Sequence, residues 1–164
     1  DSVCVHAGNG LTRNSGTTGS FVANLGKGGN TFWATGTAGP CTGIFKPIWL
    51  EGDVLPDLGP IPKGIYDPET LWWQHEKLHR SVLKDYSKIS LYQEKRDQLE
   101  TSFLKKASDS EKNDRMEITR QAFAASRAAT ENWTSLIESH PKKSSLNPVF
   151  NLYWKKQNKK AQNV

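Results

Sequence analysis

Two hydrophobic periodicities divide the chain. Up to about residue 50, apolar and polar positions alternate in short runs set apart by glycine; beyond residue 68 they recur at helical spacing. Residues 2–7 (SVCVHA) form a short β-prone run ending at Gly8-Asn9-Gly10. Residues 17–25 (TTGSFVANL) place Phe21, Ala23 and Leu25 on one face and Ser20, Val22 and Asn24 on the other. Gly26-Lys27-Gly28-Gly29 supplies a hairpin turn, and residues 30–37 return with Phe32 and Ala34 opposite Trp33 and Thr35. Bulky residues on both faces predict a sheet covered on both sides. Residues 44–50 (IFKPIWL) are apolar, but Pro47 lacks a backbone donor, which predicts an edge strand.

Asp67-Pro68 has the chemistry of a helix start, and a first long helix is expected to run to about Lys106 with Leu71, Leu78, Val82, Ile89, Leu99 and Phe103 inward. Ser108-x-x-Glu111 reads as a capping box for a second. There Met116, Phe123, Thr130 and Ile137 repeat every seven residues until His140-Pro141 ends the run. The expected class is α+β: antiparallel strands followed by two long helices packed as a hairpin. The expected segments are a sheet part over 1–50, a Pro/Gly connector over 51–67, the helical pair over 68–140 and a lysine-rich tail over 141–164. Three or four strands with apolar faces on both sides need more layers than one helical pair supplies. The chain is therefore expected to be one portion of a larger polypeptide, or to assemble with a companion chain.

Composition sharpens this division. Twelve of the thirteen glycines precede residue 60, and none follows Gly64. Six Trp, six Phe and four Tyr exclude a disordered chain, and no apolar run is long enough for a membrane helix. The net charge of +5 belongs to the end of the chain: residues 139–164 carry six lysines and no acid. Without base-reading or stacking elements, that charge reads as a solvated tail rather than a nucleic-acid surface. No export signal is visible, and two cysteines fit a reducing intracellular compartment, although Cys4 and Cys41 could still pair.

His75-Glu76-Lys77-Leu78-His79 is a literal H-E-x-x-H. On a helix its two histidines lie one turn apart, where both could hold zinc while Glu76 activates water. Lys77 and Arg80 place charge where such helices are buried, and no third ligand stands out, so the favoured reading is that these residues pack the helix. Cys4 and His6 share a strand face as a thiol–imidazole pair, but ~7 Å of separation is too long for direct proton transfer. Cys41, after Gly39-Pro40, reads as a turn residue. No phosphate-binding glycine motif occurs, and no cofactor is expected.

An ordered set of short motifs resembles the C-terminal region of the dipeptidase/secernin family. It comprises Ser2-Val3-Cys4-Val5-His6-Ala7-Gly8, Thr17-Thr18-Gly19-Ser20, Thr35-Gly36-Thr37 with Pro40, Ile44-Phe45-Lys46-Pro47, and Trp72-Trp73-Gln74-His75-Glu76 continuing through Leu78 and Arg80. The resemblance implies an αββα N-terminal-nucleophile hydrolase that cleaves amide bonds of short peptides. In that family a mature N-terminal cysteine is the nucleophile and its own α-amino group the base. The family nucleophile lies far upstream of the Ser2–Gly8 run, so Cys4 does not inherit the role, and no catalytic residue is assigned within these 164 residues. The expected contribution is sheet and helical layer, with His6 and Asn9 as candidate cleft-lining residues. The alternatives are a non-catalytic, secernin-like protein-interaction domain and, behind it, a zinc peptidase built on His75, Glu76 and His79. The exposed apolar sheet expected of an isolated fragment predicts aggregation or tight association with a partner chain.

Overall fold

The computed structural model describes residues 4–26, 29–50, 56–141 and 147–162. Residues 2–3 of the first β-prone run, Lys27-Gly28 of the hairpin turn, the start of the connector at 51–55, and Lys142 and Lys143 lie outside them.

The architecture is α+β. Among the described residues, β1 (Phe21–Asn24), β2 (Thr31–Ala34) and β3 (Lys46–Ile48) form an antiparallel sheet in the order β1-β2-β3. Phe21 pairs with Ala34, and Val22 with Trp33, which in turn faces Pro47. Pro47 therefore occupies an edge strand, where its missing donor is harmless, and its carbonyl accepts the Thr119 hydroxyl at 3.0 Å. The 2–7 run forms no strand over its described part. Instead, Val5 and Thr17 exchange two hydrogen bonds of 2.9 Å, one of them through the Thr17 side chain.

The first long helix is interrupted. α1 spans Leu71–Leu83 and α2 Gln93–Ser108, with a 3-10 segment over Tyr86–Leu91 between them. The start also moves: Thr70, not Asp67, caps α1 through its hydroxyl to the Trp73 amide at 3.2 Å. At the break, buried Asp85 adopts an extended backbone and accepts the Ser87 hydroxyl at 2.7 Å. Beyond the break, Tyr92 is buried in the core, stacked on Trp133 with ring centroids 4.6 Å apart.

α3 (Arg115–Ser139) is the central helix and packs against α1, α2 and β3. The turn before it is capped by Glu111 with Asp114 rather than by Ser108 with Glu111. One core unites sheet and helices: Trp33, Ile44, Leu78, Val82, Tyr92, Phe103, Ala122, Trp133 and Ile137.

The supposed tail contains a fourth helix, α4 (Pro148–Lys160). Asn147 caps it by accepting the Val149 amide at 2.9 Å, and Pro148 takes the first turn, where its missing N–H costs nothing. Its lysines face solvent while Phe150, Tyr153 and Trp154 turn inward. Trp154 donates to the Ala7 carbonyl at 3.2 Å and Tyr153 to that of Asn14 at 3.3 Å. The architecture is thus four α-helices on a three-stranded sheet over the described residues, not two long helices.

Burial grades across the sheet. Every residue of β3 is buried, β2 is half-buried around Trp33, and all four residues of β1 are exposed. The expectation of a sheet covered on both sides fails at β1, because the helices reach only the β3 end.

Candidate functional site

Three chain segments meet where Cys4, His6 and Cys41 converge. The side chain and backbone of Thr17 draw two of them together. Thr17 pairs with Val5, and its carbonyl accepts the Gly39 amide at 3.0 Å, which sets the 4–8 segment beside the turn that carries Cys41. Gly39 has φ +56°, and a Cβ there would stand 2.6 Å from Cδ2 of His79, so glycine is required by both backbone and space. A 3-10 turn over Pro40–Thr42 follows, closed by Thr42, whose amide and hydroxyl both donate to the Gly39 carbonyl. From α2, Arg96 clamps the Cys41 carbonyl at 2.6 Å.

α1 supplies the third segment. His79 Nε2 lies 3.4 Å from His6 Nδ1, and His79 Nδ1 lies 3.0 Å from Glu76 Oε2. Arg80 Nε donates to the other Glu76 oxygen at 2.7 Å. On its far side the Arg80 guanidinium lies between the Trp73 and Trp154 rings, 5.2 and 5.3 Å from their centroids, and donates to Asn158. On the near side, His6 Nε2 is 3.2 Å from Cys41 Sγ. A continuous line of polar contacts therefore runs Cys41–His6–His79–Glu76–Arg80.

The electrostatics orient this line. Burial works to raise the Glu76 carboxyl, but the hydrogen bonds and charges of His79 and Arg80 outweigh it and hold the group below the usual carboxylate range. An ionised Glu76 only accepts, so His79 donates to it through Nδ1. His6 Nε2 is the ring nitrogen that faces the cysteines. Burial, with the charges of His79 and Arg13, lowers the His6 imidazole. Burial, followed by the neighbouring Cys4, pushes the Cys41 thiol up to about 11. The pair therefore stands as thiol and neutral imidazole, unlike the thiolate–imidazolium of an activated cysteine nucleophile. Neither cysteine is in a disulfide. Among the described residues, Cys4, His6 and Cys41 form the one set of three sulfur, imidazole or carboxylate groups whose ligating atoms lie within 4.8 Å of one another.

The sequence candidates separate on this frame. His6 sits in the line between Cys41 and His79. Asn9 does not line it: its carboxamide oxygen accepts the amides of Leu11, Thr12 and Arg13, organising the following turn. His75, Glu76 and His79 do not converge on a common point. His75 Nε2 donates to the Thr42 hydroxyl at 3.2 Å. Glu76 is held by His79 and Arg80, leaving its carboxylate committed rather than directed at water. Full burial, then the charges of His79 and Lys46, push His75 down to about 3.

Local spacing marks Cys41 only as a turn residue and puts Cys4 and His6 ~7 Å apart on a strand. Residues 4–6 are not a flat strand, and both side chains reach the 40–42 turn, a convergence that no local spacing reveals. Tyr86, the first residue of the 3-10 segment after the break, donates toward Cys41 Sγ at 3.9 Å. Comparisons with protein-family models, curated proteins and solved structures found no match for this chain.

Proposed function

We propose that this chain is the sheet-and-helix portion of a cysteine-type amide hydrolase of the N-terminal-nucleophile kind, acting on short peptides, whose nucleophile lies outside these residues. The observation that carries the proposal is the state of β1. Phe21 and Val22 are 57 % and 50 % exposed, and Leu25 just beyond is 69 % exposed. Phe21 stacks on Phe32 with centroids 5.5 Å apart, yet the pair remains open to solvent. A strand edge with a large apolar group on either face is a surface built to be covered. An αββα sandwich needs such a surface, because its second sheet and further strands must dock there. The order of motifs from Cys4 to Arg80 supports the same family. The un-ionised state of Cys41 and His6 agrees with a nucleophile supplied from elsewhere.

The test is the polypeptide isolated from its natural source, subjected to N-terminal sequencing and assayed for dipeptide hydrolysis. A species beginning with cysteine that releases amino acids, and loses this activity when that residue is alkylated, supports the proposal. A species with another or a blocked terminus and no hydrolysis overturns it in favour of a non-catalytic protein-interaction domain.

A further inference from the structure

The convergence of Cys4, His6 and Cys41 stands apart from the hydrolase reading and does not depend on it. We propose that these three residues are the ligands of a thiophilic divalent metal site, with zinc the best-fitting ion, in which His6 binds through Nε2.

The ligand set comes first. Two sulfurs and one imidazole nitrogen are the donors that select zinc over magnesium or calcium. Bond lengths of about 2.3 Å to sulfur and 2.0–2.1 Å to nitrogen place neighbouring S and N ligands of a tetrahedral ion about 3.6 Å apart. His6 Nε2 and Cys41 Sγ are 3.2 Å apart, and all three ligating atoms fall within 4.8 Å. An ion therefore needs the His6–Cys41 pair to part by about 0.4 Å and the other two separations, which are no more than 4.8 Å, to settle at about 3.6–3.8 Å. The segments are fixed independently of any ion, by the Thr17 and Gly39 bonds on one side and the Arg96 clamp on the other.

The support behind His6 is the second observation. A metal-binding histidine donates its remote N–H to a carboxylate, a backbone carbonyl or water, which fixes both tautomer and ring plane, and a second imidazole bonded to a carboxylate takes that place beside His6. Here His6 Nδ1 meets His79 Nε2, His79 meets Glu76, and Glu76 is locked by Arg80. An ion on Nε2, the nitrogen facing the sulfurs, leaves the His6 Nδ1–H to donate to His79 Nε2, so the bound form fixes one tautomer. The same geometry explains why a buried Glu-His-Arg cluster is kept at the edge of the core, where apolar packing would be simpler.

Binding is not a redox step. Two S–H protons pass to solvent, two thiolates and the imidazole lone pair form bonds to the ion, and the site becomes neutral overall. Two cysteines and one histidine leave one position of a tetrahedral ion for water or another small ligand. His6 and Cys41 are only partly buried, so the ion has a path in.

The experiment is titration of the reduced, full polypeptide with Co(II) under anaerobic conditions, followed by displacement with Zn(II). One equivalent giving thiolate-to-cobalt charge transfer and tetrahedral d–d absorption is expected, and zinc should erase both. Cys4→Ser, Cys41→Ser and His6→Ala should each lose this equivalent. Glu76→Gln should retain the spectrum with affinity lowered about 10–100-fold. His75→Gln should bind as the unmutated chain does. Because a ligand variant can fail for want of folding, the unmutated chain provides a second readout. Zinc should block alkylation of the peptides carrying Cys4 and Cys41 together, at one equivalent. Alkylation unaffected by zinc, an equivalent retained after Cys4→Ser, or a Cys4–Cys41 disulfide forming in preference to metal uptake would each overturn the proposal.

Discussion

Two buried bases show how position sets ionisation in this protein, and each leaves a signature in stability against pH. Lys46 is almost completely buried, its ammonium donating to the carbonyls of Thr35 and Ile44 at 2.7 Å and lying 5.3 Å from the Phe123 ring centroid. Burial outweighs the attraction of Glu100 and brings Lys46 down to about 7. Between that value and its ordinary 10.5, the unfolded chain holds a proton that the folded chain does not. Stability from this group therefore rises with pH across that window, at up to about 1.4 kcal/mol per pH unit, and the burial penalty is fully present below it. Urea unfolding of Lys46→Met should lack the rise from pH 7 upward that the unmodified chain shows. His75 acts in the acid range. With its folded value near 3 and its ordinary value 6.5, the unfolded state again binds the extra proton, so stability falls as pH drops through that window. In His75→Gln, whose amide can keep the Thr42 contact, that loss should be shallower by a similar slope. Equal acid sensitivity in the two chains would refute the assignment.

The elements owe their limits to particular side chains, and α4 is the clearest case. Its lysine-rich sequence hides three inward aromatic residues and an Asn-Pro start, and the helix docks through Trp154, Arg80 and the Ala7 carbonyl. Asn147→Ala should weaken the helix by about 1 kcal/mol, the usual worth of an N-cap. Trp154→Ala should do more, since it removes a ring from the Arg80 stack and a donor from Ala7. Hydrogen exchange should then quicken over 148–160, with the α3 amides unchanged. Exchange that speeds equally in α3 would mean that α4 is part of the central cooperative unit instead. The break between α1 and α2 has the same local character. Asp85 and Ser87 provide turn chemistry within an otherwise periodic run, and Tyr92 just beyond it packs on Trp133, far along the chain.

For the molecule as a whole, the graded burial of the sheet has a direct consequence. The helices cover β3 and leave Phe21, Val22 and Leu25 open at the β1 edge. The isolated 164-residue chain should self-associate, and Phe21→Glu with Leu25→Glu should render it monodisperse with little change in thermal midpoint, as measured by sedimentation and calorimetry. A large fall in midpoint would show that these residues support the fold of the chain itself.

Much of this organisation was legible in the residue order alone. The shift from a glycine-rich, alternating first part to a glycine-free helical second part sets the α+β class, and alternation around Phe21 and Trp33 with the intervening glycines sets the hairpin. Pro47 marks the edge strand, and His140-Pro141 marks the end of α3. These features depend on neighbours a few residues away, where backbone sterics and periodicity act. The cluster around His6 obeys a different logic. Cys41, His79 and Glu76 stand 35 to 73 residues from their partners along the line, or on a helix whose own spacing suggested another metal set. Only packing decides that His75 turns to Thr42 while His79 turns to His6, because both are one helical turn apart and chemically alike. The same holds for ionisation: Lys46 and His75 carry no mark in the sequence of the burial that lowers them. Local chemistry writes the elements, whereas desolvation and long-range contact choose which polar groups meet.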